Sequence, residues 1–128
     1  MKKILILIIP FLFFSCKNND KNSFVKHKDL IFSDIYFLAE LGEDNYEELE
    51  RKIEEKNLTI KHFAFITYVS FLQELNACGN YAANIEIKND TIKLKTILLS
   101  DEVCTSLDIR KLTYIIYNTK KERKIIIE

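Results

Sequence analysis

The chain has 128 residues with 19 basic and 19 acidic side chains, a formal charge of zero at neutral pH. That balance supplies no electrostatic reason for nucleic-acid binding, which needs a basic surface. Only two glycines occur, Gly42 and Gly79, so no Walker loop, G-x-G-x-x-G turn or G-x-S-x-G elbow can be written, and nucleotide-dependent enzymes and the α/β-hydrolase signature are excluded.

At the N-terminus, Lys2 and Lys3 precede an apolar run over residues 4–14, followed by Ser15 and Cys16. The run has 11 residues and contains Pro10, whereas a spanning helix needs about 20 apolar residues. A positive start, a short apolar stretch, a small residue and a cysteine have the layout of an export segment. It resembles the lipoprotein signal peptide, which implies cleavage before Cys16 and acylation of its thiol. Phe13 and Phe14 stand where the common pattern has Leu and a small residue, similar to the relaxed versions of AT-rich Gram-negative bacteria. The resemblance implies a cell-envelope protein attached to the membrane through an N-terminal lipid. Lys17 replaces the Asp that resembles an inner-membrane retention signal, so the implied destination is the outer membrane.

Residues 17–23 (Lys-Asn-Asn-Asp-Lys-Asn-Ser) are polar and lack apolar periodicity, the composition of a tether. The expected organisation is a signal peptide at 1–15, a lipidated cysteine and tether at 16–28, and one domain at 29–128. Removing residues 1–15 leaves 113 residues with 17 basic and 19 acidic side chains, a formal charge of −2. That is one domain of ordinary size.

Residues 29–41 are mostly apolar, and periodicity does not separate helix from strand there. Gly42, which would punctuate a turn, favours a strand over 34–40. Residues 44–56 read as an amphipathic helix. Asp44 and Glu47 suit a capping box, Tyr46, Leu49 and Ile53 share one face, and Glu47–Arg51 and Glu48–Lys52 are i,i+4 pairs. Asn57 suits a left-handed terminator. From 59 to 72 both alternating sets are largely apolar, as in a strand covered on both faces with a bend midway.

Register is clearest at 83–98. A two-residue turn at Asn89 and Asp90 sets Ile87 opposite Ile92, Ile85 opposite Leu94 and Glu86 opposite Lys93, which leaves one face apolar. The pattern repeats more loosely at 112–117 and 124–127. The predicted fold class is α+β, an antiparallel β-meander with the 44–56 helix packed against it.

With Cys16 consumed by the lipid, Cys78 and Cys104 remain, an even number in an oxidising compartment. A disulfide between them would enclose the 83–98 hairpin and stabilise the fold by about 3–4 kcal/mol in the chain-entropy model. The alternative is a pair of buried thiols. Asp101 and Glu102 beside Cys104 would raise its pKa, which argues against a nucleophile. His27 and His62 stand alone without metal spacing. The acidic run at 43–55 is interleaved with Arg51 and Lys52 and lacks a calcium loop. No cofactor or metal is expected. The basic turn of Lys120, Lys121, Arg123 and Lys124 is a candidate contact with anionic headgroups or lipopolysaccharide; the alternative is a run that solubilises a hairpin tip, diluted by Glu122.

The segment Cys78-Gly79-Asn80-Tyr81, the Asn-Asp hairpin and the Tyr-bearing last strands are similar to small Bacteroidetes-type lipoproteins of unknown role. The likeness covers roughly the C-terminal half and implies no activity and no site residues. The leading functional expectation is a non-enzymatic, lipid-anchored envelope protein that binds a protein partner or supports an outer-membrane assembly. An inhibitor or immunity-type protein against a cell-wall hydrolase is the alternative, followed by an envelope enzyme without a recognisable motif.

Overall fold

The computed structural model describes residues 24–128. The expected signal peptide at 1–15, Cys16 and most of the expected tether lie outside the described residues. Seven strands and one helix follow in the order β1 (Leu30–Glu40), α1 (Tyr46–Glu54), β2 (Thr59–Phe63), β3 (Ile66–Asn76), β4 (Tyr81–Lys88), β5 (Thr91–Leu98), β6 (Leu107–Tyr117) and β7 (Lys124–Ile127). The class is α+β, with strands that are antiparallel apart from one pair and a single helix packed on them. They form a four-stranded sheet of order β1-β6-β3-β2 and a three-stranded sheet of order β4-β5-β7.

The two sheets bury one face each against the other. Val69 and Phe71 of β3 and Leu112, Tyr114 and Ile116 of β6 meet Ala83 and Ile85 of β4 and Ile92 and Leu94 of β5. Phe71 and Tyr114 stack with ring centroids 5.9 Å apart. Two hydrogen bonds cross the core: Tyr114 Oη donates to the Lys95 carbonyl at 3.1 Å, and Thr96 Oγ1 to Gln73 Oε1 at 2.9 Å. Burial pushes the Tyr114 hydroxyl up to about 12.

The hairpin of β4 and β5 has the register read from its sequence, with Ile87 opposite Ile92, Ile85 opposite Leu94 and Glu86 opposite Lys93. Asn89 takes the positive φ, 53°, that its turn requires. Across the outer face, however, Glu86 pairs diagonally with Lys95, and Lys93 bonds Glu128.

The strand at the N-terminal end runs over Leu30–Glu40, longer than the expected 34–40. Register shifts between Leu30 and Phe32 and between Phe37 and Ala39 explain its ambiguous pattern. Each extra residue moves the following side chains to the other face, so a true strand shows a spacing that mimics a helix.

The helix is shorter than the expected 44–56. It spans Tyr46–Glu54 with Asn45 as N-cap and no side-chain cap bond. The Asp44–Glu47 capping box does not form, since the N-cap falls one residue later at Asn45; just before the helix, Glu43 Oε2 accepts the Glu40 N–H at 2.9 Å. Of the two i,i+4 pairs, Glu48–Lys52 closes at 2.7 Å. The left-handed terminator is Lys56 at φ 51°, one residue before Asn57. Lys56 N–H bonds the Ile53 carbonyl and Asn57 N–H the Lys52 carbonyl, the pair of bonds of a Schellman motif. Tyr46, Leu49 and Ile53 pack on Leu38, Ala39, Leu72 and Ile109, on the outer face of the four-stranded sheet.

Residues 59–72 are not one bent strand. They are a hairpin, β2 and β3, turning at Ala64 and Phe65 with Phe63 opposite Ile66. Nor is β2 covered on both faces, since Ile60 through Phe63 are exposed. The C-terminal segments do not pair with each other either. After β6 the chain crosses to the second sheet, and β7 joins β5 in parallel. A parallel partner distant in sequence leaves no local signature.

Candidate functional site

Sheet register divides the outer face of the four-stranded sheet into cross-strand rows. Nearest the β2–β3 turn lie Tyr117, Ile66 and Phe63; next come Phe32, Ile115, Tyr68 and Lys61; then Asp34, Thr113, Ser70 and Thr59; then Tyr36, Lys111 and Leu72. The row beyond holds Ala39, Ile109 and Glu74, where the helix sits. One end of the face is therefore closed by α1 and the other is open.

On the open part, Tyr36 is 62% exposed, Phe63 59%, and Phe32 and Tyr117 48% each, with Phe65 at 63% on the adjoining turn. An aromatic side chain carries about 200 Å², so half-exposure of these five leaves on the order of 500 Å² of aromatic surface in water, at the upper end for a monomer. Phenylalanine and tyrosine set among Asp34, Lys61 and Lys111 have the composition of a protein-contact surface.

Where the open part meets the helix there is a depression of about 290 Å³, lined by Leu49, Lys52 and Asn57 on the helix side and by Thr59, Tyr68, Ser70 and Lys111 on the sheet side. The helix wall is fixed by Tyr46 Oη, which donates to Glu74 Oε2 at 2.5 Å. Burial, and then the neighbouring carboxylate, push that hydroxyl well above the usual phenol range. The surface thus combines a flat aromatic shelf with a polar notch.

A second concavity, an open groove of about 730 Å³, lies between the end of α1, β3 and β7, with Ile53, Leu58, Phe71, Leu72, Ile125 and Ile127 among its lining. Its lining is mainly apolar, with Lys56, Asn57, Gln73, Glu74 and Lys124 also bordering it.

The other residues singled out from the sequence are dispersed. Cys78 and Cys104 lie at disulfide distance, Sγ to Sγ 2.07 Å and Cα to Cα 5.6 Å. They belong to two of the three corners where the chain passes between sheets, β3 to β4 and β5 to β6, so the bridge clamps these two crossings and encloses the hairpin. Asn76 reinforces it: its Oδ1 accepts the N–H groups of Cys78 and Cys104, and its Nδ2 donates to the Cys104 carbonyl. Beside this corner Arg110 bonds Asp108 through Nε and Nη2 and lies 5.2 Å from the Tyr81 ring. That pair was legible only as opposite charges two apart on one strand.

His27 Nδ1 accepts the Asp29 N–H, and His62 Nδ1 lies 3.0 Å from Thr67 Oγ1. Among the described residues no three His, Cys, Asp or Glu side chains form a group able to hold a metal ion. Asn84 anchors the segment before β1, accepting the His27 N–H and donating to the Val25 carbonyl, so packing against the domain begins before residue 29.

In the basic turn the four cations differ in their surroundings. Lys120 lies 3.9 Å from Asp90, Arg123 is half-buried and donates to Asn118 Oδ1, and Lys121 and Lys124 are exposed. Compared with protein-family models, curated proteins and solved structures, the chain gives no significant match to any of the three.

Proposed function

We propose that this chain is a lipid-anchored protein of the bacterial cell envelope that acts by binding a partner protein through the open face of its four-stranded sheet. The carrying observation is the aromatic shelf itself. Phe32 and Tyr36 are 48% and 62% exposed, although both sit on β1, whose other face places Leu30 and Ile35 against the core. Leaving such groups in water forgoes roughly 1.5–3 kcal/mol per side chain relative to burial, which a docked partner would recover. Tyrosine and phenylalanine are the residue types enriched where proteins meet.

The anchor rests on the sequence: Lys2 and Lys3, the short apolar run and Ser15-Cys16. A cysteine pair at bonding distance fits an oxidising compartment such as the periplasm or the cell surface. The partner is expected to present a complementary apolar patch, with polar groups that reach Asp34, Lys61 and Lys111 at the rim.

Two variants test the reading in a Gram-negative host. Cys16→Ser is expected to move the protein from the membrane fraction to the soluble envelope fraction. Tyr36→Glu is expected to leave fractionation unchanged and to abolish partner association. Retention of Cys16→Ser in membranes would remove the anchor. Undiminished association of Tyr36→Glu, combined with Phe32→Glu, would remove the interface.

A further inference from the structure

We propose a second contact on this domain: the tip of the β2–β3 hairpin and the basic turn beside it dock on the anionic surface of a phospholipid bilayer. Four consecutive apolar residues, Phe63, Ala64, Phe65 and Ile66, form the tip, and all four are exposed. An exposed run of that length is a solubility fault unless it has a use. The backbone makes the choice more telling. Ala64 holds φ 48°, a left-handed position where Gly, Asn or Asp is accommodated at less cost. The turn therefore carries apolar side chains where polar ones would fit better.

The tip is held in place rather than loose. Asn118, 1% exposed, donates its N–H to the Phe65 carbonyl at 2.7 Å and its Nδ2 to Thr67 Oγ1 at 3.0 Å. The same side chain organises the basic turn, because its Oδ1 accepts the Lys120 N–H and Arg123 Nη1. Tyr117, opposite Ile66, completes the apolar end. The β4–β5 turn joins this end through the Lys124 N–H to the Asp90 carbonyl, 2.8 Å.

Charge complements the apolar tip. Residues 88–90 and 118–124 hold the cations Lys88, Lys120, Lys121, Arg123 and Lys124 against only Asp90 and Glu122. This end is thus net positive in a chain whose formal charge is zero. Phenylalanines flanked by lysines are suited to the boundary between headgroups and acyl chains. The side chains of all four tip residues are open to solvent, which suits insertion into a bilayer.

Reach is compatible with the anchor, although the proposal does not depend on it. From Cys16 to Phe24 the chain extends at most about 28 Å. From Asn84, where the N-terminal segment is fastened, to the Asn89 turn is about 17 Å along the strand.

The test uses residues 16–128 with Cys16→Ser, so that no acyl chain contributes; both sheets and the core lie within this span. The probes are vesicles of phosphatidylcholine with and without phosphatidylglycerol. Co-sedimentation with the anionic vesicles is expected, weakened by salt. The double variant Phe63→Ser/Phe65→Ser should lower that partition by roughly tenfold or more, and Lys120→Glu/Lys121→Glu should lower it and flatten its salt dependence. The chain contains no tryptophan, so Phe65→Trp adds a single reporter whose emission should shift blue on anionic vesicles and be quenched by brominated acyl chains. Wild-type partition no stronger than that of the double serine variant overturns the proposal, and so does an unshifted Phe65→Trp spectrum. Loss of protein-partner binding in the serine variant with unchanged vesicle binding would assign the tip to the protein interface, and also overturns it. Tyr36→Glu should leave vesicle binding intact, which keeps the two surfaces experimentally separate.

Discussion

The backbone N–H of Asn118 meets the carbonyl of Phe65 at 2.7 Å, and this bond joins two turns that are far apart in sequence. Asn118 is buried, and both its amide nitrogen and its oxygen are used as well. Asn118→Leu leaves Thr67 Oγ1 short of a donor and frees the 118–123 turn. A loss of about 1–3 kcal/mol is expected, measured as a lower urea midpoint at unchanged slope.

The helix terminus makes the opposite prediction. Lys56 occupies the left-handed position of the Schellman motif at φ 51°, where a β-carbon costs about 1–2 kcal/mol. Lys56→Gly relieves that strain and gives back part of it in backbone entropy. A net gain of about 0.5–1 kcal/mol is expected from the same denaturation measurement.

The Asp108–Arg110 pair is nearly enclosed, with side-chain exposures of 3% and 16%. Removing one partner strands a buried charge. Asp108→Ala should cost about 3–5 kcal/mol, and replacing both by apolar residues of similar volume should recover much of that loss. A double-mutant cycle on unfolding free energies is the check.

Tyr114 supplies a pH signature. Its folded pKa is raised to about 12 by burial, from an ordinary 10.0. The unfolded chain therefore releases this proton first, and the native state binds more protons between the two values. Stability from this group is complete below pH 10 and is lost as pH rises through about 12, up to roughly 2–3 kcal/mol. Tyr46 shifts in the same direction and adds to the loss. Tyr114→Phe should flatten the fall in stability between pH 9 and 12, measured relative to the parent chain.

These residues also show what could be read beforehand. The β4–β5 hairpin was legible because Asn89 and Asp90 mark a turn and the flanking isoleucines alternate. The helix was legible from Tyr46, Leu49 and Ile53, though not its cap. The β2–β3 turn was hidden, since Ala64 and Phe65 carry no turn chemistry. The partner of β7 was hidden because parallel pairing is set by topology alone. The shelf was hardest of all: Phe32, Tyr36 and Tyr68 alternate like core residues, and only the register and the short reach of α1 reveal that their face is left open.

The most direct test of the partner-binding account is site-specific photo-crosslinking in living cells, with a benzophenone amino acid placed singly at Phe32, at Tyr36 and at the exposed Glu102 near the disulfide corner. The account predicts one discrete adduct with a second, different polypeptide from positions 32 and 36, absent from position 102 and abolished at 36 by Phe32→Glu. Equal labelling from all three positions, no adduct from the face, or an adduct made only of two copies of this chain would contradict it.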